Sequence, residues 1–143
     1  MDSIFFIDDE AFFARRYIEE LKGNFKVSFC DSAIEAIDQI RGADEFRALV
    51  LDIQMPPPQG HSLQITNDGL DTGLWLLQEI REIVIARPLP VAILTNRLPQ
   101  VIEAAVKKMS FPDQLIEVHH KTDTDAAALA MRLDILTRRW PRT

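Results

Sequence analysis

The chain has 143 residues, of which 47% are hydrophobic and 27% charged, and its formal net charge is −6. This size predicts one globular domain, residues 1–143, which buries roughly two-thirds of the surface that the unfolded chain exposes. The negative charge argues against nucleic-acid binding, which needs clustered Lys and Arg, and no apolar run reaches the roughly 18 residues of a membrane span. Four arginines near the C-terminus are interpreted as favourable charges at a helix end: Arg132, Arg138, Arg139 and Arg142.

The N-terminal residues, MDSIFFIDDE, lack the basic region and the long apolar region of a signal peptide. The sequence therefore predicts a cytoplasmic location. The single cysteine, Cys30, excludes an internal disulfide and fits a reducing compartment. Because Cys30 ends a predicted strand, we interpret it as a small buried apolar residue rather than a reactive thiol.

Short continuous apolar runs alternate along the chain with segments whose apolar residues recur every three or four positions, which predicts strands and helices in turn. In chain order the predicted elements are strand 4–7, helix 13–21, strand 25–30, helix 32–40, strand 48–52, helix 74–84, strand 91–95, helix 101–109, strand 115–120 and helix 129–140. Ser32 and Glu35 have the spacing of a capping box at the start of the second helix. Five such units predict an α/β fold with one doubly wound parallel sheet.

Acidic and polar residues stand where four of these strands end. Because the carboxyl ends of parallel strands meet at one edge of the sheet, where open α/β sheets bind ligands, we expect these side chains to share one crevice. Carboxylates a few ångströms apart repel one another by about 1 to 4 kcal/mol per pair, so the acidic group needs a cation. Hard oxygen ligands suit Mg²⁺. The residues are Asp8, Asp9, Glu10, Asp52, Thr95 and Lys121.

Five segments, in order and on the expected elements, resemble the receiver domain of bacterial two-component response regulators. They are IFFIDDE, LVLDIQMP, GLWLLQEIR, AILTN and the lysine after the fifth strand. Each segment is weak evidence alone, whereas the whole set in this order is specific, and it spans nearly the whole chain. The resemblance implies a flavodoxin-like sheet with strand order 2-1-3-4-5.

The resemblance also implies a role for each residue at the sheet edge. Asp52 is the phosphoacceptor, and Asp8 and Asp9 are the acidic pair that holds Mg²⁺. The backbone carbonyl of Gln54 is a further metal ligand, while Thr95 and Lys121 contact the phosphoryl oxygens. Glu10 is interpreted as an acidic residue in the first helical turn, with a place near the metal as the alternative. No enzyme activity is implied beyond Mg²⁺-dependent self-phosphorylation and autodephosphorylation.

The partners implied are a histidine kinase or a histidine phosphotransfer protein and an unknown downstream protein, with no membrane or nucleic acid; a homodimer and a further effector domain stay open. Two other functions are weighed. The first is a phosphorylation-independent pseudo-receiver that acts as a protein-binding module, although an unused cluster of like charges is destabilising. The second is a haloacid-dehalogenase-like phosphatase, whose first motif needs Asp-x-Asp where this chain has Asp8, Asp9 and Glu10.

Two departures from the family concern the backbone around the site. The connection of residues 56–72 is longer than in typical members, and long loops in compact domains are either functional or disordered. Thr122 follows the lysine where the family has a cis-proline. Since a non-proline cis bond costs about 2.5 to 4 kcal/mol, we expect a trans bond or a rebuilt turn here.

Other departures concern side chains. Val118 replaces the aromatic residue that couples to the hydroxyl residue in typical members, so a different output surface or a weak conformational response is expected. Asn96 and Arg97 replace small residues; Arg97 is interpreted as a surface arginine, with a phosphoryl contact as the alternative. His119 and His120 are interpreted as strand residues facing core or solvent rather than as phosphoryl-handling or pH-sensing groups.

Overall fold

The computed structural model describes residues 1–141, so Arg142 of the predicted basic group lies outside the described residues. Five parallel strands form one sheet in the order β2-β1-β3-β4-β5. This confirms the predicted flavodoxin-like α/β fold and its strand order. The strands are β1 Ser3–Ile7, β2 Lys26–Cys30, β3 Phe46–Leu51, β4 Val91–Thr95 and β5 Ile116–His120.

Helices cover both faces of the sheet. They are α1 Ala11–Leu21, α2 Ala33–Gly42, α3 Thr72–Glu79, α4 Arg81–Ala86, α5 Pro99–Lys107 and α6 Ala126–Arg139, and a 3₁₀ turn occupies Leu63–Thr66. Within residues 1–141, no helix has the length and apolar character that crossing a membrane requires.

The prediction of one continuous helix over 74–84 was wrong at Ile80. That residue has φ −101° and ψ 9°, which divides the segment into α3 and α4. The bonds from Ile80 N–H to Leu76 O and from Val84 N–H to Ile80 O continue on both sides, so the interruption is a bend. Leu77, Ile80 and Val84 are all fully buried in one core, which explains why the bend is tolerated.

The apolar core lies on both faces of the sheet, which is why the strands have continuous apolar sequences. In β1, Phe5 and Ile7 belong to the cluster that includes residues of α2, α3 and α4. Ile4 and Phe6 point to the other face and join residues of α1 and α6. Cys30 is 4% exposed, in agreement with its interpretation as a buried residue.

Two strands begin one residue later than predicted because the preceding residue belongs to a turn. Phe25 N–H donates to Leu21 O at the end of α1, and Leu115 N–H donates to Pro112 O. The predicted start of α2 is confirmed, since Ser32 Oγ accepts the N–H of Glu35.

Residues 56–71, which we call the inserted segment, fold back on themselves rather than extending from the domain. Thr72 Oγ1 donates to Met55 O at 2.8 Å and to Gly69 O at 3.2 Å, and Met55 N–H also donates to Gly69 O. Asn67, Asp68 and Gly69 have φ of 50°, 57° and 92°, so three left-handed residues in succession reverse the chain. The inserted segment is therefore closed at its base beside Met55.

Gly73 sets helix α3 directly against the backbone that follows β3. Its N–H donates to Ile53 O at 2.8 Å. A Cβ atom at Gly73 would lie 2.2 Å from the carbonyl oxygen of Asp52 and 2.6 Å from Cα of Ile53. Only glycine allows this approach, so the inserted segment returns to the sheet right beside Asp52.

We predict that Gly73→Ala lowers the free energy of unfolding by about 1 to 3 kcal/mol or more, because backbone atoms must move to admit the methyl group. Urea denaturation followed by circular dichroism measures this. Gly42→Ala is the matched control, since a Cβ there meets nothing within 4 Å. Gly42 ends a helix, so alanine there should be neutral or stabilising by up to ~1 kcal/mol. Equal stability of the two variants would show that α3 shifts freely.

Candidate functional site

A cavity of about 430 Å³ opens at the carboxyl edge of the sheet. It is lined by most of the residues that the sequence predicts at this edge. Asp8 is not among the lining residues, but it contacts Lys121, which is. The inserted segment supplies one wall. The lining residues are Asp9, Glu10, Asp52, Gln54, Met55, Pro56, Pro57, Asp68, Gly69, Thr95, Asn96, Arg97 and Lys121.

Three carboxylates meet at this edge because β1 and β3 are neighbours in the sheet. Asp8, Asp9 and Asp52 each place an oxygen within 4.8 Å of the others. Asp8 and Asp52 are 1% and 5% exposed. Asp8 Oδ1 accepts the N–H of Glu10 at 2.8 Å, and Asp52 Oδ1 accepts that of Ile53 at 2.9 Å. Glu10 itself is exposed and precedes α1, so its backbone orients Asp8.

Asp9 differs from its neighbours because one of its oxygens has no hydrogen-bond partner within residues 1–141. That oxygen, Oδ1, is buried. An unpaired buried acceptor is costly, and a carboxylate oxygen next to two more carboxylates is suited to binding a hard cation. The donor set of Asp8, Asp9 and Asp52 therefore fits a divalent ion such as Mg²⁺, and Gln54 lines the same cavity.

Lys121 is the cation that contacts this cluster. Its Nζ lies 3.4 Å from Asp8 Oδ2 and 3.4 Å from Asp52 Oδ1, and its side chain is 4% exposed. The ammonium group also lies 4.6 Å from the centre of the Phe13 ring, a favourable cation–π distance. Tyr17 holds the turn after β5 by donating its hydroxyl to Thr124 O at 2.8 Å. One lysine thus faces three carboxylates.

The charge imbalance appears in the proton affinities of the carboxyl groups. Burial, together with the Asp8 carboxylate, raises the pKa of Asp52 to about 7, although Lys121 opposes the rise. Burial also raises the pKa of Asp8 and, with the charge of Asp8, that of Asp9. Burial is the largest cause of all three rises, and a bound cation would lower the three pKa values because it stabilises the ionised forms.

Thr95 ends β4 and is 1% exposed. Its Oγ1 accepts the N–H of Arg97 at 3.0 Å, and its carbonyl accepts the N–H of Lys121 at 2.8 Å. The first bond uses a lone pair of the hydroxyl, so its hydrogen can still be donated into the cavity. The second bond joins the end of β4 to the residue after β5, which explains how Lys121 is positioned without the family proline.

The backbone at Thr122 agrees with the sequence expectation. No cis peptide bond occurs in the described part of the chain. Thr122 N–H and hydroxyl both contact Nδ1 of His120, whose Nε2 lies 3.1 Å from Asn96 O. These local bonds rebuild the turn.

The other side chains of β5 lie away from the cavity. Val118 is partly buried against the core and pairs with Ile93 of β4. His119 Nε2 lies 3.0 Å from Oε1 of Glu117, and Arg132 hydrogen-bonds the same carboxylate. These positions agree with the interpretation of His119 and His120 as strand residues that face core or solvent. Arg132 of the predicted basic group has Glu117 as a specific partner, in addition to its place near a helix end.

The structure adds contacts that the sequence did not indicate. Arg97 Nη1 donates to Asp71 Oδ1 and, at 3.2 Å, to Leu70 O, so it ties the inserted segment to the turn after β4. Asp68, an exposed acidic residue, also lines the cavity. Phe13 was predicted only as part of the helix over 13–21, whereas the structure places its ring against the Lys121 ammonium group. The spacing of apolar residues predicts helices and strands, but it does not predict the course of a long loop. No sequence signal could therefore have paired Arg97 with Asp71.

We predict that, in EDTA, the wild type loses stability relative to Asp52→Asn as pH rises from about 5.5 to about 8. The folded-state pKa of Asp52 is raised from 3.8 to about 7. Its stabilising effect is therefore full below the unfolded pKa and lost as pH rises through about 7. The difference in unfolding free energy should change by roughly 2 kcal/mol, since about 1.5 pH units of this range lie between the unfolded and folded pKa values. Urea denaturation measures it, and Asp38→Asn, an exposed site on α2, should behave as wild type.

The comparisons with known proteins place this geometry in context. No protein-family model matches the sequence, and no curated protein matches it either. Solved structures match it over nearly its whole length. The receiver domain of a Francisella response regulator has 22% identity and a TM-score of 0.72, covering 97% of this chain and 98% of its own.

Two further structures agree. A CheY-like receiver domain protein from Methanospirillum hungatei JF-1 has 14% identity and a TM-score of 0.74, over 98% of this chain and 96% of its own. A receiver domain protein from Clostridium thermocellum has 21% identity and a TM-score of 0.72, over 97% of this chain and 96% of its own. At these identities the likeness concerns the backbone. The chain therefore has the fold of response-regulator receiver domains.

Proposed function

We propose that this chain is a phosphoacceptor receiver domain in which Mg²⁺-dependent phosphorylation of Asp52 controls binding to another protein. The observation that carries the proposal is the buried cluster of Asp8, Asp9 and Asp52, with its unpaired Asp9 oxygen and with Lys121 in contact. A structural role alone does not explain why three carboxylates gather at a ligand-binding edge with one lysine. The fold of the neighbouring structures agrees with this function.

Asp8, Asp9 and Asp52, with the backbone carbonyl of Gln54, would hold Mg²⁺. When bound, Mg²⁺ supplies positive charge that offsets the charge of the phosphoryl oxygens. Asp8 and Asp9 come from the end of β1 and Asp52 from the end of β3, so the site depends on the pairing of these strands. Phe13 and Tyr17 of α1 support the site from behind through Lys121 and its turn.

In the proposed reaction, a carboxylate oxygen of Asp52 attacks the phosphorus of the donor in line with the bond that breaks. The new bond joins the Asp52 oxygen to phosphorus, and the electron pair of the broken bond leaves with the donor nitrogen or oxygen. Lys121 contributes its charge to one phosphoryl oxygen, and the Thr95 hydroxyl donates a hydrogen bond to another. Asp52 reacts in its ionised form, which Lys121 favours.

The proposed donor is a histidine kinase or a histidine phosphotransfer protein, and the phosphorylated domain would act on a downstream protein in the cytoplasm. Val118 cannot provide an aromatic switch, so the signal would leave the site through another element. The inserted segment is the strongest candidate, because it forms a wall of the cavity and adjoins Asp52 through Gly73.

We predict that Mg²⁺ stabilises the folded protein. A ligand at a concentration of 100 times its Kd adds about 2.7 kcal/mol to the free energy of unfolding when it binds only the folded state. A thermal melt with millimolar Mg²⁺ measures the shift in Tm against EDTA. Asp9→Asn should lose most of this shift, whereas Asp38→Asn should keep it. A wild type that melts at the same temperature with and without the metal would contradict the metal site.

We predict that a small acyl phosphate donor, such as acetyl phosphate, adds one phosphoryl group to the wild type and none to Asp52→Asn. Intact-mass spectrometry with and without Mg²⁺ measures the gain. Asp52→Asn should stay folded, since it removes one of three mutually repelling charges. Labelling of Asp52→Asn would place the acceptor elsewhere, and a folded wild type that is never labelled would favour a phosphorylation-independent binding module.

A further inference from the structure

The cavity has a second cation besides Lys121 among its lining residues, and that cation is already paired with the inserted segment. Arg97 lines the cavity together with Asp52, Thr95 and Lys121. Its Nη1 donates to the Asp71 carboxylate and to Leu70 O. The side chains of Arg97 and Asp71 are 29% and 32% exposed, so this ion pair is partly shielded from water.

We propose that Arg97 contacts the phosphoryl group of phosphorylated Asp52 and that Asp71 is its resting partner. Phosphorylation would then withdraw Arg97 from Asp71 and release the inserted segment from the turn after β4. The proposal rests on the proposed phosphorylation of Asp52. It assigns a further residue to the site and makes the inserted segment the element that responds.

The chemistry of the two competing anions favours the exchange. Asp71 carries one negative charge, whereas a phosphoryl group carries roughly two at neutral pH and presents three acceptor oxygens. A guanidinium group binds such oxygens through two parallel N–H bonds, which a point charge such as a lysine ammonium does not reproduce. Thr95 Oγ1 already anchors the backbone of Arg97, so the side chain starts from a fixed position at the cavity wall.

Repulsion acts in the same direction. Asp68 lines the cavity, and its backbone lies in the left-handed region with φ of 57°. New negative charge on Asp52 would repel Asp68 while it attracts Arg97. Both effects weaken the hold of the site on the inserted segment, whose base still remains closed by the bonds of Thr72 to Met55 and Gly69.

The inserted segment has a natural optical reporter. The rings of His61 and Trp75 lie 5.2 Å apart, edge to face, so the environment of Trp75 depends on the position of the segment. The chain has two tryptophans. In a Trp140→Phe background, Trp75 is the one remaining tryptophan, so the tryptophan emission changes when its contact with His61 changes.

The test uses the full chain with Trp140→Phe, Mg²⁺ and acetyl phosphate, with the phosphorylated fraction measured by intact mass in the same samples. We expect Trp75 emission to change in proportion to the phosphorylated fraction, after the change caused by Mg²⁺ without the phosphate donor has been subtracted. Amide exchange at Asp68, Gly69 and Asp71, whose N–H groups bond within the segment, should become about two- to fivefold faster, the effect of losing one partly exposed ion pair.

Two variants test the pair itself. Arg97→Gln and Asp71→Ala should show the changed emission and faster exchange before phosphorylation, with little further change after it. Asp71→Ala removes no helix-capping bond, since the Asp71 side chain makes none. Arg87→Gln is the control: it breaks a more exposed ion pair, with Asp44, before β4 at the amino edge of the sheet, and it should respond as wild type.

The outcomes separate the two proposals. Phosphorylation of Asp52 with unchanged Trp75 emission and unchanged exchange would overturn the role of Arg97 and leave the phosphoacceptor role standing. The same is true if Arg97→Gln, labelled to the same extent, responds as wild type does. No phosphorylation of a folded wild type would overturn both. A response in the wild type that Arg97→Gln and Asp71→Ala lack would support the exchange.

Discussion

The main constraint on the site is the charge of three carboxylates beside one ammonium group at the carboxyl edge of the sheet, with Asp8 and Asp52 almost fully buried. Asp8, Asp9 and Asp52 lie within 4.8 Å of one another, and Lys121 contacts two of them. Such a group costs folding free energy unless positive charge is added. Burial is the largest cause of the raised pKa values of the three carboxyl groups, and one buried oxygen of Asp9 has no hydrogen-bond partner among residues 1–141. The surrounding residues of the domain hold these charged groups in position.

The support comes from contacts that are individually ordinary. The pairing of β1 with β3 brings Asp8 and Asp52 side by side at the end of the sheet. The bond from Lys121 N–H to Thr95 O fixes the start of the turn after β5. Phe13 covers the ammonium group, and Tyr17 fixes the turn beyond it. These groups belong to the cluster on the α1 and α6 face of the sheet. The site is therefore packed against the core on the side of α1, whereas the inserted segment forms another wall of the cavity.

Two features connect that wall to Asp52. At Gly73 the backbone of α3 touches the backbone of Asp52, so the end of the inserted segment cannot move away without disturbing the site. At Arg97 a partly exposed ion pair holds the segment more weakly. A firm attachment at the base and a weak one at the rim are what a segment needs in order to respond to charge without unfolding the domain. In the proposed mechanism, this arrangement would provide an output route in a chain that has Val118 in place of an aromatic switch.

The sequence by itself determined the fold class, the number of strands and the residues at the sheet edge, while the order of the strands was implied by the resemblance to receiver domains. Continuous apolar runs identify buried parallel strands, and parallel strands bring their carboxyl ends together, so Asp8, Asp52, Thr95 and Lys121 could be placed by pattern alone. Only the tertiary structure decided the bend at Ile80, the contact of Phe13 with Lys121, and the pairing of Arg97 with Asp71. These depend on how distant segments meet in space. The pattern of apolar and polar residues along the chain shows whether a segment is a helix or a strand, but it does not show the course of a long loop between two such segments.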